Sequence, residues 1–285
     1  MAKLGGYYGS LSTDQTKALE DLSKQLREKL STDEGLNDCT PIWGVKVPDL
    51  AAGEASALST PAQVVLLKFL RARQFAVDKA LEMLVACLKW RKEFGIADLT
   101  GSKAEVFPDE LNALGQVYGR DKEGSPVTYN YYGGIDVDAL MGTPEQVQRF
   151  VRWRVQLMER AIAQCDLGAG REHVMQVHDY MGANMFKMGA GMKEATRTII
   201  RLFQDNYPEW LSSKLFLNVP RVMEFVFGIM TAFSDPATRK KMCMVGAAGA
   251  RAKLLEHIDW AQLPPKWGGL AQEASAAADA AAREG

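Results

Sequence analysis

Histidine is scarce in this chain: among 285 residues only His173, His178 and His257 occur. So few imidazoles leave most His-based metal centres without ligands. The four cysteines, Cys39, Cys87, Cys165 and Cys243, lie far apart with no CxxC pair. That spacing argues against a zinc site and against a disulfide-dense secreted scaffold, and it fits free thiols in a reducing compartment. No excess of positive charge exists either: 34 Lys and Arg face 35 Asp and Glu, a net charge of −1. A general nucleic-acid binder needs surplus cations to displace counterions from phosphates, so that class is set aside. Long hydrophobic runs are missing as well. The longest, from Val222 to Phe233, spans about a dozen residues, contains Glu224 and is too short to cross a bilayer. The opening MAKLGGYYGS has no apolar signal core, and Ala2 stands where myristoylation requires glycine. A cytoplasmic protein is expected.

Catalytic signatures are absent in the same way. No GxxxxGK[ST] occurs, and the glycine pairs Gly168/Gly170, Gly189/Gly191 and Gly246/Gly249 lack dinucleotide spacing after a strand. There is no GxSxG elbow and no HExxH. His178-Asp179 resembles the core pair of metal phosphohydrolases, but the supporting histidines are missing, so it reads as a strand end. The expectation is a non-enzyme with no cofactor and no metal.

What the chain does contain is 47% apolar residues, enough for a sizeable core, with 24% charged residues to keep a surface wet. A capping box, Ser12 with Gln15, opens an amphipathic helix carrying Ala18, Leu19, Leu22, Leu26 and Leu30. Thr60-Pro61-Ala62-Gln63 reads as a second helix start, leading into VVLLKFLRAR. A third helix is predicted from near Asp78 to about Phe94, with Gly95 as its stop. From about Gly115 the pattern changes. Two strand-like runs flank the turn DKEGSP, Thr143-Pro144-Glu145-Gln146 repeats the capped start, and REHVMQVHDY, KLFLNV and MCMVG suit buried strands between helices. Strands separated by helices call for a mostly parallel α/β sheet with right-handed crossovers. The segment RVMEFVFGIMTAF is apolar almost all round, which by itself signals ordinary burial as readily as a cover for a lipid cavity.

LLKFLRARQFAVDKALEMLVACLKWRKEFG resembles the helical lobe of the CRAL-TRIO, or Sec-fourteen-like, lipid-binding family. QDNYPEWLSSKLFLNVP, FSDPATRKKMCMVG and LPPKWGG resemble three further landmarks of that family in the same order. IWGV, CLKWRKEFGI, FVRWRVQLMERAI, VMQVHDY and LFQDNYPEW are similar to the plant patellins, whose C-terminal β-rich domain has no counterpart in AQEASAAADAAAREG.

The resemblance implies an N-terminal extension over 1–40, a helical lobe over 41–104, a lipid-binding α/β lobe over 105–270 and an Ala-rich tail over 271–285. It also implies a pocket closed by a gate helix bearing Met223, Phe225, Val226, Phe227, Met230 and Phe233. By position, the residues that hold an inositol headgroup in relatives match Arg73, Glu209, Thr238 and Lys241. Val174, Gln176 and Phe203 stand where yeast-type carriers place choline-binding hydroxyls, which makes the pocket less polar. The implied activity is binding and transfer of phosphatidylinositol or a phosphoinositide by a monomer that touches membranes transiently. Alternatives are a carrier of a tocopherol, retinoid or sterol-like lipid, and a lipid-sensing membrane adaptor.

Overall fold

The computed structural model describes residues 5–36, 39, 41–47, 58–101, 103–133, 135–183, 189–219 and 239–269. Thr238 and the six expected gate residues between Met223 and Phe233 lie outside the described residues. The chain divides into two compact units, the first comprising Met1–Leu99, Asp166–Glu172 and Ile200–Trp210, the second Thr100–Cys165, His173–Ile199 and Leu211–Gly285.

The first unit is helical. Helix α1 (Thr13–Thr32) opens with the expected capping box: Ser12 Oγ accepts from the Gln15 amide at 3.2 Å, and Gln15 Oε1 accepts from the Ser12 amide at 3.0 Å. Its buried stripe, Leu19, Leu22 and Leu26, packs towards α2 (Thr60–Ala72) and α3 (Val77–Phe94). Each such leucine contributes about 1.5–3 kcal/mol on burial. The cap of α2 is Ser59 rather than Thr60, because Ser59 keeps an extended backbone and its Oγ accepts from the Ala62 amide at 3.4 Å. Gln63 turns instead to the Leu58 carbonyl, 2.9 Å away. With Val64 to Leu70 all buried, α2 is the centre of this unit. Helix α3 stops at Gly95, which takes the left-handed conformation (φ 71°) that a side chain resists. A short helix, α4 (Ile96–Thr100), follows.

The second unit is built on a sheet ordered β1–β2–β3–β4–β5. Strands β1 (Gly115–Arg120) and β2 (Pro126–Tyr131) form an antiparallel hairpin. Strands β3 (Val174–Asp179), β4 (Leu211–Leu217) and β5 (Met242–Val245) then add in parallel. Short helices α5 (Asp109–Asn112) and α6 (Val137–Met141) flank β1 and β2, and the long helix α7 (Pro144–Ile162) carries the second expected capping box, between Thr143 and Gln146. Helix α8 (Ala190–Asn206) connects β3 to β4, and α9 (Ala250–His257) follows β5. The α/β architecture with a mostly parallel sheet is as expected. Inward residues alternate along the strands. Val127, Tyr129, Met175, Val177, Leu215 and Leu217 face one way and bury against Leu254, Ile258, Leu263 and Trp267. The opposite face turns to α7, where Gln176 Nε2 lies 3.7 Å from Met158 Sδ.

Gly119 shows how tightly the hairpin is seated. Its φ of +62° is left-handed, and a Cβ there would stand 2.5 Å from the Gln262 carbonyl oxygen. Gly119→Ala should therefore destabilise the protein by about 1–2 kcal/mol, from backbone strain and a forced parting of the loop. A urea midpoint unchanged from wild type would contradict this.

Candidate functional site

Of the residues expected to bind a headgroup, Arg73 and Glu209 both belong to the first unit, and Lys241 belongs to the second. Arg73 is the C-cap of α2, with Nη1 donating to the Ala72 carbonyl at 3.0 Å. Glu209 sits in a left-handed conformation, φ 57°, which is costly for a residue with a side chain. What holds it there is Lys68. The Lys68 side chain is fully buried; its ammonium donates to the Glu209 carbonyl at 3.0 Å and to the Glu172 carbonyl at 2.6 Å. It also lies 3.9 Å from the Trp210 ring centre, a cation–π contact that a neutral side chain cannot make. Lys68 and Arg73 lie on the same helix, about 7–8 Å apart at 1.5 Å per residue. The turn that presents Glu209 is thus tied to the helix that ends in Arg73.

One turn of α2 further along, Arg71 pairs with Glu172, donates to the Gly6 carbonyl at 3.2 Å and stacks 4.1 Å from the Tyr7 ring centre. Burial pushes the Tyr7 hydroxyl up, with Arg71 opposing and Glu209 and Glu172 adding to the rise. Behind Glu209, Trp43 meets Trp210 edge-on at 4.9 Å and stacks on Phe69 at 5.9 Å. Phe203 also belongs here, on α8, edge-on to Tyr207 at 5.1 Å.

Lys241 lies just before β5, where its carbonyl accepts from the Lys214 amide at 2.8 Å. Val174 and Gln176 point from β3 to the face opposite the Trp267 core, and His178 follows in the same register. This face also carries polar and aromatic side chains. His178 lies 5.4 Å from the Tyr132 ring and 5.3 Å from Phe216, and Tyr132 lies 5.2 Å from Tyr180. The Arg154 side chain, from α7, hydrogen-bonds the Tyr132 hydroxyl while burial raises the latter's pKa. Lys214 is brought down to about 7, first by burial and then by repulsion from Arg154. His178 is held well below the ordinary imidazole range by burial, with Lys214 and Arg154 adding to it.

Asp179, by alternation, leaves β3 on the other side, where Asn218 Nδ2 donates to it at 2.6 Å and Lys266 pairs with it at 2.7 Å. His178 and Asp179 therefore do not converge on one point, and no ligand pair forms. Among the described residues no group of three or more His, Cys, Asp or Glu converges as a metal site, and no helix is long and apolar enough to cross a membrane.

Sequence reasoning missed Lys68, Arg154 and Lys214. The available signal was a lone charge inside an apolar helix (VVLLKFL) and another alternating with Phe216 in a strand (KLFL).

The first unit is helical, and the second is an α/β unit whose sheet keeps one face for the Trp267 core and carries polar and aromatic side chains on the other. The CRAL/TRIO domain model matches residues 113–269, and the CRAL/TRIO N-terminal domain model matches residues 23–86. The chain belongs to the CRAL/TRIO family. It is 34% identical to Patellin-3 of Arabidopsis thaliana over 272 residues, which is 91% of this chain and 52% of the patellin. To the phosphatidylinositol transfer protein SFH5 of Candida albicans it is 34% identical over 222 residues, covering 73% of this chain and 68% of that protein. The crystal structure of Sfh5 superposes with a TM-score of 0.70 at 27% identity, covering 83% of each chain. The chain spans between 38% and 62% of the length of the patellins it matches. The likeness to patellins read from the sequence is borne out.

Proposed function

We propose that this protein binds and transfers a phospholipid, phosphatidylinositol or a phosphoinositide, exchanging it at membrane surfaces as a cytoplasmic, monomeric, non-catalytic carrier. The observation that carries this reading is the 34% identity over 222 residues to a protein named as a phosphatidylinositol transfer protein. The physics of the cargo supports it. A diacyl lipid has on the order of thirty methylenes, each costing about 0.8 kcal/mol to expose, so an aqueous carrier must enclose nearly all of them. Its phosphate then needs fixed cations, since an uncompensated buried charge is costly.

In this reading Arg73 and Lys241 neutralise phosphate, Thr238 offers a hydroxyl, and Glu209 accepts from inositol hydroxyls at a backbone angle fixed by Lys68. Purified protein is expected to carry an inositol lipid visible by native mass spectrometry. Arg73→Ala and Lys241→Ala should each lower phosphatidylinositol transfer between liposomes by about tenfold, the cost of one charge-assisted contact. Unchanged transfer by both variants would remove the site assignment. Recovery of a tocopherol, retinoid or sterol from the purified protein would favour a less polar cargo, and binding without transfer would favour a lipid-sensing adaptor.

A further inference from the structure

We propose that the turn over residues 6–10 is a clamp on the end of α2, fixing the backbone on both sides of Arg73 and so setting where Arg73 meets a lipid phosphate. This rests on Arg73 as a headgroup residue and adds to that reading a positioning element at the start of the chain.

The first sign is strain. Helix α2 ends in Arg73, and the next two residues, Gln74 and Phe75, both hold left-handed backbone angles, φ 52° and 62°. Such angles are costly for any residue with a side chain and are true outliers for a bulky one. The Gln74 amide donates to the Arg71 carbonyl at 3.1 Å and the Phe75 amide to the Leu70 carbonyl at 2.7 Å. These are the bonds of a helix stop in which glycine ordinarily takes the left-handed position. They close the turn, but they do not explain why a phenylalanine is held there.

What Phe75 gains is a contact with the N-terminal turn. A Cβ on the buried Gly6 would stand 3.2 Å from two carbons of the Phe75 ring, so the ring lies directly on the Gly6 backbone. The turn itself is well formed. The Ser10 amide donates to the Tyr7 carbonyl at 2.9 Å, the Gly6 amide donates to the Ser10 carbonyl at 3.1 Å, and two residues later the chain enters the Ser12 cap of α1.

Two further contacts join this turn to α2. Arg71 Nη1 donates to the Gly6 carbonyl at 3.2 Å, and the Arg71 guanidinium lies 4.1 Å from the Tyr7 ring centre. Arg71 and Phe75 stand two residues before and two residues after Arg73, so the turn grips the chain on either side of it. The Tyr7 hydroxyl also feels the charges of Glu209 and Glu172, which sets the turn near Glu209 as well. Backbone strain persists only where its surroundings over-determine it, and it gathers at ligand clamps. A guanidinium on a fixed backbone loses less freedom on meeting a phosphate than one on a loose turn.

Native-state hydrogen exchange on the full chain reads the clamp without any lipid. In the wild type the amides of Ser10, Gln74 and Phe75 should share one opening, because the two turns release together. Tyr7→Ala should speed exchange at Gln74 and Phe75 about tenfold and leave residues 66–70 of α2 unchanged. Tyr7→Phe keeps the ring over Arg71 and should exchange as the wild type does. Transfer of phosphatidylinositol between phosphatidylcholine liposomes then reads the consequence. Tyr7→Ala should lower it about threefold alone and not at all beside Arg73→Ala, since the clamp acts through that one guanidinium. Unchanged exchange at Gln74 and Phe75, or an equal loss of transfer with and without Arg73, would overturn the proposal. So would a wild type in which Ser10 opens apart from Phe75, a result that decides the matter even where a variant fails to fold. Arg73→Ala alone tests the headgroup assignment: transfer unchanged by it removes that reading, and the clamp's role in transfer with it. A loss caused by Arg73→Ala but not by Tyr7→Ala removes the clamp alone.

Discussion

Glu172→Ala should lower stability by about 3–5 kcal/mol, the range for breaking one side of a buried ion pair. The Glu172 and Arg71 side chains are only 2% and 7% exposed, so the deletion strands a guanidinium in a place water hardly reaches. Arg71 would keep its bond to the Gly6 carbonyl and its stack on Tyr7, neither of which supplies a negative charge. Lys68 would keep the Glu172 carbonyl, because alanine retains it. The loss is therefore electrostatic in origin, and Glu172→Gln should cost less by preserving an acceptor for one N–H. Urea denaturation of the three proteins side by side checks the order. A shift below about 1 kcal/mol for the alanine variant, as for an exposed pair, would show that water screens this contact.

Lys214→Met should do the opposite and stabilise the protein, by about 3 kcal/mol at or below neutral pH. The full linkage value, for a lysine lowered from 10.5 to about 7, is roughly 5 kcal/mol; the side chain's partial exposure reduces it. The sign follows from proton counts. Between about 7 and 10.5 the unfolded chain holds a proton that the folded chain has released, so wild-type stability rises with pH through that window. The variant's advantage is therefore largest below pH 7 and shrinks as pH climbs towards 10.5. Midpoints measured at about pH 6 and about pH 9.5 separate this from a simple gain in packing, which would be equal at both. A destabilised variant, or an advantage that grows with pH, would show that Lys214 is not desolvated as described.

Much of the architecture could be read in advance because its signals are local. Ser12 with Gln15 and Thr143 with Gln146 each satisfy orphan amides within one turn of chain, and both caps form where the residues stand. The hairpin is equally local: Asp121 accepts from the Glu123 and Ser125 amides inside the DKEGSP turn. At the start of α2 Ser and Thr adjoin and either can cap; the backbone angle decides for Ser59.

The candidate site was harder to read because it is made by pairing distant segments. The register that sets Lys214 opposite Gln176 belongs to the β3–β4 pairing and leaves no trace in either strand alone. Alternation gives Lys214 a face, but whether that face is wet or enclosed depends on α7, which brings Arg154. Lys68 poses the same problem on a helix, where a lone charge among apolar neighbours is usually expected to reach solvent. Here two carbonyls from Glu172 and Glu209 meet it instead. Phe203 lies in the first unit, and Val174 and Gln176 lie in the second.

The edge-on meeting of Trp43 and Trp210 has an optical consequence. Two indoles 4.9 Å apart at 76° are close enough for their transitions to couple, giving the first unit a circular-dichroism couplet of its own. Trp210 follows Glu209 directly and lies under the Lys68 ammonium, so its excited state feels any charge that settles at that turn. The protein thus carries a built-in chromophore pair beside Glu209, which reports a charge arriving at that turn by absorbed and emitted light without a label.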